Sequence, residues 1–205
     1  METTRRTFVA GTAAAGIALA AAGTAFAEEA KTDEAAAEAE GDGYSVVETD
    51  SGLQVTIADN ENPDLPTVVV LATGGTIAGT GEAGKTTGYS AGQLDVGTLV
   101  ASAAGITDIA NVRGVQVCNV GSDDITDAYW IQMAQTINEL AADDAISGFA
   151  ITHGTDTLEE TAYFLNLAVK TDKPVVITGA MRPSTATSAD GPMNLYQTIA
   201  LAANP

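Results

Sequence analysis

An alternation of apolar runs with amphipathic stretches, beginning at Thr67, restricts the fold of this chain more than any other feature. The first run, TVVVLAT, is β-branched and continuously apolar, which is typical of a strand buried on both faces of a parallel sheet. Strands are predicted at 67–73, 114–121, 148–154 and 174–180, and helices at 92–103, 126–143, 157–171 and 194–205. This order favours an α/β fold with an open, mostly parallel, doubly wound sheet.

The first 64 residues have a different composition and are expected to lie outside that domain. Residues 1–27 carry Arg5 and Arg6 ahead of an Ala- and Gly-rich apolar stretch that ends in a small-x-small cleavage site. They predict a twin-arginine-type signal peptide and export to the periplasm, the cell envelope or the exterior. An uncleaved membrane anchor is the alternative, although Ala and Gly make a weak spanning helix. Residues 28–64 are interpreted as an acidic low-complexity linker, in which 44–58 shows partial strand-like alternation.

The charge and the scarce residue types argue against several classes of partner. The formal net charge is −19, and such a surface repels nucleic acid and anionic lipid. Neither is an expected partner once the signal peptide is removed. Cys118 is the only cysteine and His153 the only histidine, which leaves no intrachain disulfide and argues against a Cys- or His-based metal site. No metal or cofactor is therefore predicted.

The ends of the four predicted strands share a chemical character. Each contains a glycine, which lets backbone approach a ligand, and three of the four also offer hydroxyl groups. Ligands of a doubly wound sheet bind beyond the carboxyl ends of its strands, so a small-molecule site is expected there. The four ends are TGGT at 73–76, GSDD at 121–124, HGTD at 153–156 and GAMR at 179–182.

Two phosphate-binding motifs are alternative interpretations of the end of the first strand and the segment that follows it. A dinucleotide site requires G-x-G-x-x-G at the start of a helix, whereas GGTIAG is followed by a Gly-rich segment without helical periodicity. Residues 79–86, GTGEAGKT, satisfy the letters of a Walker phosphate loop. That match lies beyond the strand end and does not run straight into a helix, so nucleotide binding is disfavoured.

Four segments resemble signatures of the bacterial type II L-asparaginases. They are VVVLATGGTIAG, NVGSDD, ITHGTDTLEETAYFL and KPVVITGAMRPSTATSADGPMNLY, in the order that the family has them. The resemblance covers residues 65–205 and corresponds to the family's N-terminal α/β domain. It implies hydrolysis of the side-chain amide of L-asparagine, and often of L-glutamine, through a covalent acyl-enzyme without a cofactor.

The resemblance assigns catalytic roles to four residues. Thr76 matches the nucleophile, and Tyr89, in the Gly-rich segment 79–92, matches the tyrosine that hydrogen-bonds it. Thr155 matches the second catalytic threonine, and Asp156 matches its neighbour, which can pair with the substrate ammonium group. A threonine hydroxyl needs a base to take its proton, and tyrosine is a weak one. The segment 79–92 is expected to close over the substrate.

Five further residues are expected to line the substrate. Ser122 and Asp123 match the pair that grips it, with Ser122 and nearby amides holding the α-carboxylate. Backbone amides near Gly75 are expected to stabilise the oxyanion, with Gly154 beside them. The backbone around Ala180 is expected to line the amide end of the site.

Two departures from the family pattern leave alternatives open. Many relatives carry Gln or Glu at the position of Asp123, so the preference between asparagine and glutamine is open. The catalytic lysine of the family matches neither Lys170 nor Lys173, and we expect it beyond Pro205. The smaller C-terminal domain, which completes a neighbouring subunit's site in a homotetramer, is also missing from these residues. We therefore expect the full-length protein to be an exported asparagine amidohydrolase and these residues alone to be inactive; a non-catalytic amino-acid-binding remnant is the alternative.

Three side chains near the strand ends are given supporting roles. Thr157, with Glu160 three residues later, predicts a capping box at the start of the third helix. His153 is expected to be held by hydrogen bonds beside the site and not to act as a base. Arg182 is expected to tie down the loop before Pro183 and to have no catalytic role.

Overall fold

A computed structural model describes residues 44–58 and 61–204, which form one six-stranded mixed sheet with helices on both faces. The strand order is β1-β2-β4-β3-β5-β6, and β4, β3, β5 and β6 are parallel, which confirms the predicted fold class. The strands are β1 (Tyr44–Glu48), β2 (Gln54–Ala58), β3 (Thr67–Gly74), β4 (Asn111–Val120), β5 (Ile146–Thr152) and β6 (Val175–Thr178). The helices are α1 (Val96–Ser102), α2 (Asp127–Leu140), α3 (Leu158–Ala168) and α4 (Gly191–Ala202).

Strand β3 is the centre of the core, and every one of its residues is buried. Val68 and Val70 pack with α1 and α4 on one face of the sheet. Val69 and Leu71 pack with α2 and α3 on the other face. Because successive side chains of a strand point to opposite faces, both alternating sets must be apolar. This is why the strand reads as a continuous apolar run.

The carboxyl end of β3 lies at the topological switch point of the sheet. The chain leaves β3 to form β4 on one side and returns to form β5 on the other side. The connections on either side of β3 therefore lead away from each other and leave a crevice at its carboxyl end. The residues that follow β3 are thus placed where a doubly wound sheet binds its ligand.

The sheet also contains a hairpin that the linker interpretation did not include. Strands β1 and β2 pair antiparallel, and β2 pairs antiparallel with β4. The hairpin turn is fixed to α2, because the Ser51 hydroxyl donates to the Glu139 carboxylate (2.6 Å). The interpretation of 28–64 as a linker is therefore wrong for 44–58. The predicted signal peptide and residues 28–43 lie outside the described residues.

The predicted helix boundaries are wrong at two N-termini. Helix α1 starts at Val96 because the Asp95 carboxylate caps it, accepting from the Thr98 amide (2.8 Å). Helix α4 starts at Gly191, earlier than predicted, because Pro192 fits the first helical turn. Within the described residues, no helix is both long enough and apolar enough to cross a membrane.

Candidate active site

The turn after β3 depends on a backbone conformation that essentially only glycine adopts. Gly75 has φ 74° and ψ −172°. Its amide donates to the Val120 carbonyl at the end of β4 (2.8 Å), and its carbonyl accepts from the Gly92 amide (3.1 Å). A Cβ at this position would lie 2.5 Å from the Gly154 Cα, just after β5. The turn is therefore packed closely between the ends of β4 and β5. Thr76 follows it directly at the switch point.

The structure brings Thr76 and Tyr89 into contact. Thr76 begins a short 3-10 turn, and its side chain is half-buried. Its hydroxyl oxygen lies 2.8 Å from the Tyr89 hydroxyl. The loop between them closes through paired backbone hydrogen bonds between Thr80 and Ser90 (3.0 and 2.9 Å). The predicted nucleophile and its predicted tyrosine thus form one hydrogen-bonded pair.

A second segment, 184–187, holds this loop closed. The amide and the hydroxyl of Ser184 both donate to the Gly79 carbonyl (2.9 and 2.8 Å). The Thr185 hydroxyl accepts from the Gly81 amide (3.0 Å), and its carbonyl accepts from the Gly84 amide (2.8 Å). These contacts are not predictable from the sequence, because the partners are about a hundred residues apart and no local pattern relates them.

Ser122 joins the ends of β4 and β5. It is only 3% exposed, and its hydroxyl accepts from the Asp156 amide (3.1 Å). Its carbonyl accepts from the Thr157 hydroxyl (2.7 Å). A Cβ on Gly154 would lie 2.6 Å from the Ser122 Oγ, so this approach requires glycine. The residues predicted to hold substrate therefore form a connected group with the turn that carries Thr76.

The remaining predicted site residues are placed around this group. Thr155 is exposed, and its Cγ2 would lie 3.0 Å from a Cβ on Gly179. Asp123 is exposed, with its carboxylate beside Gly121. Ala180 is 2% exposed and its side chain belongs to the core, so only its backbone can line a site.

The predicted capping box is wrong. Thr157 occupies the N-cap position of α3 but makes no side-chain hydrogen bond to that helix. Its hydroxyl donates instead to the Ser122 carbonyl. The long-range contact replaces the local one, and α3 begins without a side-chain cap.

His153 is held in a buried chain of hydrogen bonds, as expected. It is fully buried, and its Nδ1 lies 2.7 Å from the Gly154 carbonyl, so Nδ1 carries the proton. Its Nε2 lies 3.0 Å from the Thr161 hydroxyl and accepts from it. The oxygen of the same hydroxyl accepts from Trp130 Nε1 (2.8 Å). Burial lowers the pKa of His153, although the Gly154 carbonyl and the charge of Glu160 raise it. The ring is thus neutral, and both of its nitrogens are used.

This environment predicts a pH effect on stability. The pKa of His153 is lower in the folded state than in the unfolded state, so the unfolded chain binds the extra proton first. The contribution of neutral His153 to the free energy of unfolding is complete above the ordinary histidine pKa. It is lost as the pH falls below that value. Urea unfolding midpoints at pH 7.5 and 5.5 should differ less for His153→Gln than for the wild type. Equal pH dependence in both proteins would contradict this account.

Asp190 fixes the segment after β6. Its carboxylate accepts from the amides of Met181 and Arg182 (both 2.9 Å) and from the Asn194 side chain (3.2 Å). Burial alone would raise the pKa of Asp190, but these hydrogen bonds outweigh it and lower the pKa. Arg182 also donates to the Ser188 carbonyl (3.2 Å), which links the residues before Pro183 to those after it. Asp190 was not predicted as a site residue, because in the sequence it has the features of an ordinary loop carboxylate.

An open pocket of about 280 Å³ lies away from this site, between α3 and β6. Leu165, Ile177 and Asn166 are among the residues that line it. The Lys173 ammonium group at its border donates to the carbonyls of Ala141 and Asp143 (2.9 and 2.6 Å). Because that ammonium group is already satisfied by carbonyls, the pocket offers no reactive constellation.

The fold and the connected side chains define a doubly wound α/β domain that presents a threonine hydroxyl at its switch point. The family model described as "Asparaginase, N-terminal" matches residues 67–205. The chain belongs to the asparaginase family.

Individual relatives agree with this assignment and with the predicted resemblance to bacterial type II enzymes. The probable periplasmic L-asparaginase of Haemophilus influenzae is 51% identical over 75% of this chain and 43% of its own length. L-asparaginase 2 of Bacillus subtilis is 54% identical over 71% of this chain and 39% of its own length. The crystal structure of a probable cytoplasmic L-asparaginase from Campylobacter jejuni matches with a TM-score of 0.65 and 51% identity, covering 68% of this chain and 42% of that one. The chain thus spans about two fifths of the length of these relatives.

Proposed function

We propose that the full-length protein is an exported amidohydrolase that converts L-asparagine to L-aspartate and ammonia through an acyl-enzyme on Thr76. The observation that carries the proposal is the 2.8 Å contact between the hydroxyl groups of Thr76 and Tyr89 at the switch point. A hydroxyl pair of this kind provides a nucleophile and a route for its proton.

The reaction needs a proton acceptor and a positive environment for the developing oxyanion. Thr76 attacks the side-chain amide carbon while its proton passes through the Tyr89 hydroxyl to the amide nitrogen, and the C–N bond then breaks to release ammonia. The amides of Thr76 and Thr155 are the proposed donors to the oxyanion, because the Gly75 amide already donates to the Val120 carbonyl. Water then hydrolyses the ester and frees Thr76. The loop 79–92, held by Ser184 and Thr185, keeps other water away from the ester.

Substrate binding follows from the charges at the strand ends. The exposed Asp156 carboxylate can pair with the substrate ammonium group. The Ser122 hydroxyl accepts from the Asp156 amide, so its own hydrogen remains to be donated to the α-carboxylate. Asp123 lies next to Ser122, and its short side chain leaves L-glutamine as a second possible substrate.

Export and assembly are parts of the same proposal. The twin arginines and the small-x-small site of residues 1–27 support export. The name of the Haemophilus relative agrees with it, whereas the Campylobacter protein is described as cytoplasmic. We further propose that the full-length protein is a homotetramer, as the family resemblance implies.

The direct test measures ammonia and aspartate from L-asparagine, with L-glutamine in parallel, using the protein expressed from its complete reading frame. We expect equal amounts of the two products. Hydroxylamine should divert part of the product to the aspartyl hydroxamate, because it attacks the same ester as water. A folded protein that releases no ammonia would overturn the activity. Hydrolysis without hydroxamate would overturn the acyl-enzyme.

Tyr89→Phe tests the proton acceptor. Loss of the hydroxyl should lower kcat for L-asparagine by about 10²–10⁴-fold and leave KM nearly unchanged, since general acid–base groups contribute on this scale. Steady-state ammonia release measures both constants. Tyr163→Phe, on the exposed face of α3, is the matched control and should behave as wild type. Equal kinetics for the two variants would remove Tyr89 from the mechanism.

A second candidate is a non-catalytic binding module for an acidic amino acid. It is favoured by the positions of the lysines that the structure describes. Lys173 is bound to carbonyls that precede β5, at the opposite edge of the sheet, and Lys85 is paired with Glu82. Calorimetry with L-aspartate on the 205-residue chain, beside an ammonia assay, separates the two candidates. Binding without turnover, in the full-length protein as well, would favour the module.

A further inference from the structure

We propose that Thr157 is a positioning residue for substrate binding, which holds Ser122 in place through its side-chain hydroxyl. The inference rests on the proposed function, because it takes Ser122 and Asp156 as the pair that binds the substrate. Thr157 itself contacts no substrate in this account. It acts through the backbone of Ser122.

The hydroxyl of Thr157 does not make the capping hydrogen bond that its sequence context favours. Thr157 is the N-cap residue of α3, where a threonine hydroxyl ordinarily accepts from an amide of the first turn. No such hydrogen bond is made. The hydroxyl donates over 2.7 Å to the Ser122 carbonyl, 35 residues away. Thr157 thus makes no local cap, and its hydroxyl connects the segment after β5 to the segment after β4.

Two consecutive residues donate hydrogen bonds to the hydroxyl and the carbonyl of the same serine. The Asp156 amide donates to the Ser122 hydroxyl (3.1 Å), and the Thr157 hydroxyl donates to the Ser122 carbonyl. The Ile125 amide also reaches that carbonyl, at 3.3 Å, within its own turn. The Thr157 hydrogen bond is the shortest of the three, and only it and the Asp156 bond connect Ser122 to the turn after β5.

Removal of the Thr157 hydrogen bond would leave Ser122 attached to the turn after β5 by the 3.1 Å hydrogen bond and by its packing against Gly154. The Ser122 hydroxyl would then lose its fixed direction toward the substrate carboxylate. That carboxylate does not change during the reaction, so the lost interaction weakens ground state and transition state equally. The expected signature is a higher KM with an unchanged kcat.

The test uses the full-length protein and two substitutions at one position. Thr157→Val keeps the shape and removes the hydroxyl, while Thr157→Ser keeps the hydroxyl. We expect Thr157→Val to raise KM for L-asparagine and the dissociation constant for L-aspartate by about fivefold, the scale of one neutral hydrogen bond. We expect its kcat to stay within about twofold of wild type. Thr157→Ser should restore the wild-type constants. If Thr157→Val does not fold, Thr157→Ala replaces it with the same expectation.

Thr198→Val is the matched control, because Thr198 also donates over 2.7 Å to a carbonyl but lies within α4. It should lower stability without raising KM. The inference is overturned if Thr157→Val keeps the wild-type KM and dissociation constant, if Thr157→Ser fails to restore them, or if Thr198→Val raises them equally. A Thr76→Ala variant with full turnover would instead overturn the proposed function. Should the wild type release no ammonia, the L-aspartate dissociation constants alone decide the role of Thr157.

Discussion

Thr76→Ala is expected to lower ammonia release from L-asparagine by at least about 10³-fold, since removing a nucleophile in a covalent mechanism has effects of this size or larger. Thr76 is the residue that the β3 turn presents at the switch point, and its hydroxyl is already paired with Tyr89. Alanine keeps the backbone and removes only the attacking oxygen and a methyl group. Ammonia release at saturating substrate, with the full-length protein, measures the loss.

Two companion variants make this result specific. Thr76→Ser keeps a hydroxyl and should retain measurable turnover and the hydroxamate product. Thr126→Ala removes an exposed hydroxyl that makes no cap hydrogen bond at the start of α2, and it should behave as wild type. Thr76→Ala should still bind L-aspartate, because the groups proposed to bind the substrate are unchanged. Turnover by Thr76→Ala at the wild-type rate would exclude Thr76 as the nucleophile.

Gly75→Ala is expected to have the largest effect on stability and to abolish activity as well. The backbone at Gly75 lies in a region that costs other residues about 1–3 kcal/mol, and overpacking adds a similar amount, so a loss of about 4 kcal/mol in unfolding free energy is expected. The added Cβ would lie 2.5 Å from the Gly154 Cα and 2.9 Å from the His153 carbonyl carbon, and both are backbone atoms that have little freedom to move. Any relief must shift the turn that carries Thr76.

The control for Gly75→Ala separates the cost of backbone strain from the cost of steric overlap. Gly105 has a positive φ of 77°, and the nearest atom to a Cβ there lies at 3.7 Å. Gly105→Ala should therefore cost only about 1–2 kcal/mol, the strain of a left-handed residue, and leave turnover unchanged. Urea unfolding and ammonia release measure both effects. Similar losses in the two variants would show that close packing at Gly75 is unimportant.

Local patterns predicted the elements but not all of their ends. The start of α4 at Gly191 was misjudged although Pro192 is a local signal for a first helical turn. The hairpin at 44–58 was misjudged because its position depends on distant partners. The hairpin shows only partial alternation, yet it pairs with β4 and is fixed by Glu139. Signals of this kind are not contained in a short window of sequence.

The sequence alone determined the fold class and the residues available to the site. A run such as 67–73 is apolar at every position, and such a strand is stable only when both of its faces are covered. Its glycine-rich end, and three similar ends later in the chain, had to meet at one edge because parallel strands in one sheet share a direction. The positions of Thr76, Ser122 and Asp156 at one edge follow from that order.

The tertiary structure decided what each hydroxyl does. Thr157 could cap its own helix or reach another strand end, and its sequence favours the cap. Packing placed the Ser122 carbonyl 2.7 Å away, and its other donor, the Ile125 amide, lies at the longer distance of 3.3 Å. In the same way, Tyr89 meets Thr76 because the loop is held by segment 184–187. Hydrogen-bond partners are chosen by distance in space, and distances between remote residues exist only once the sheet has formed.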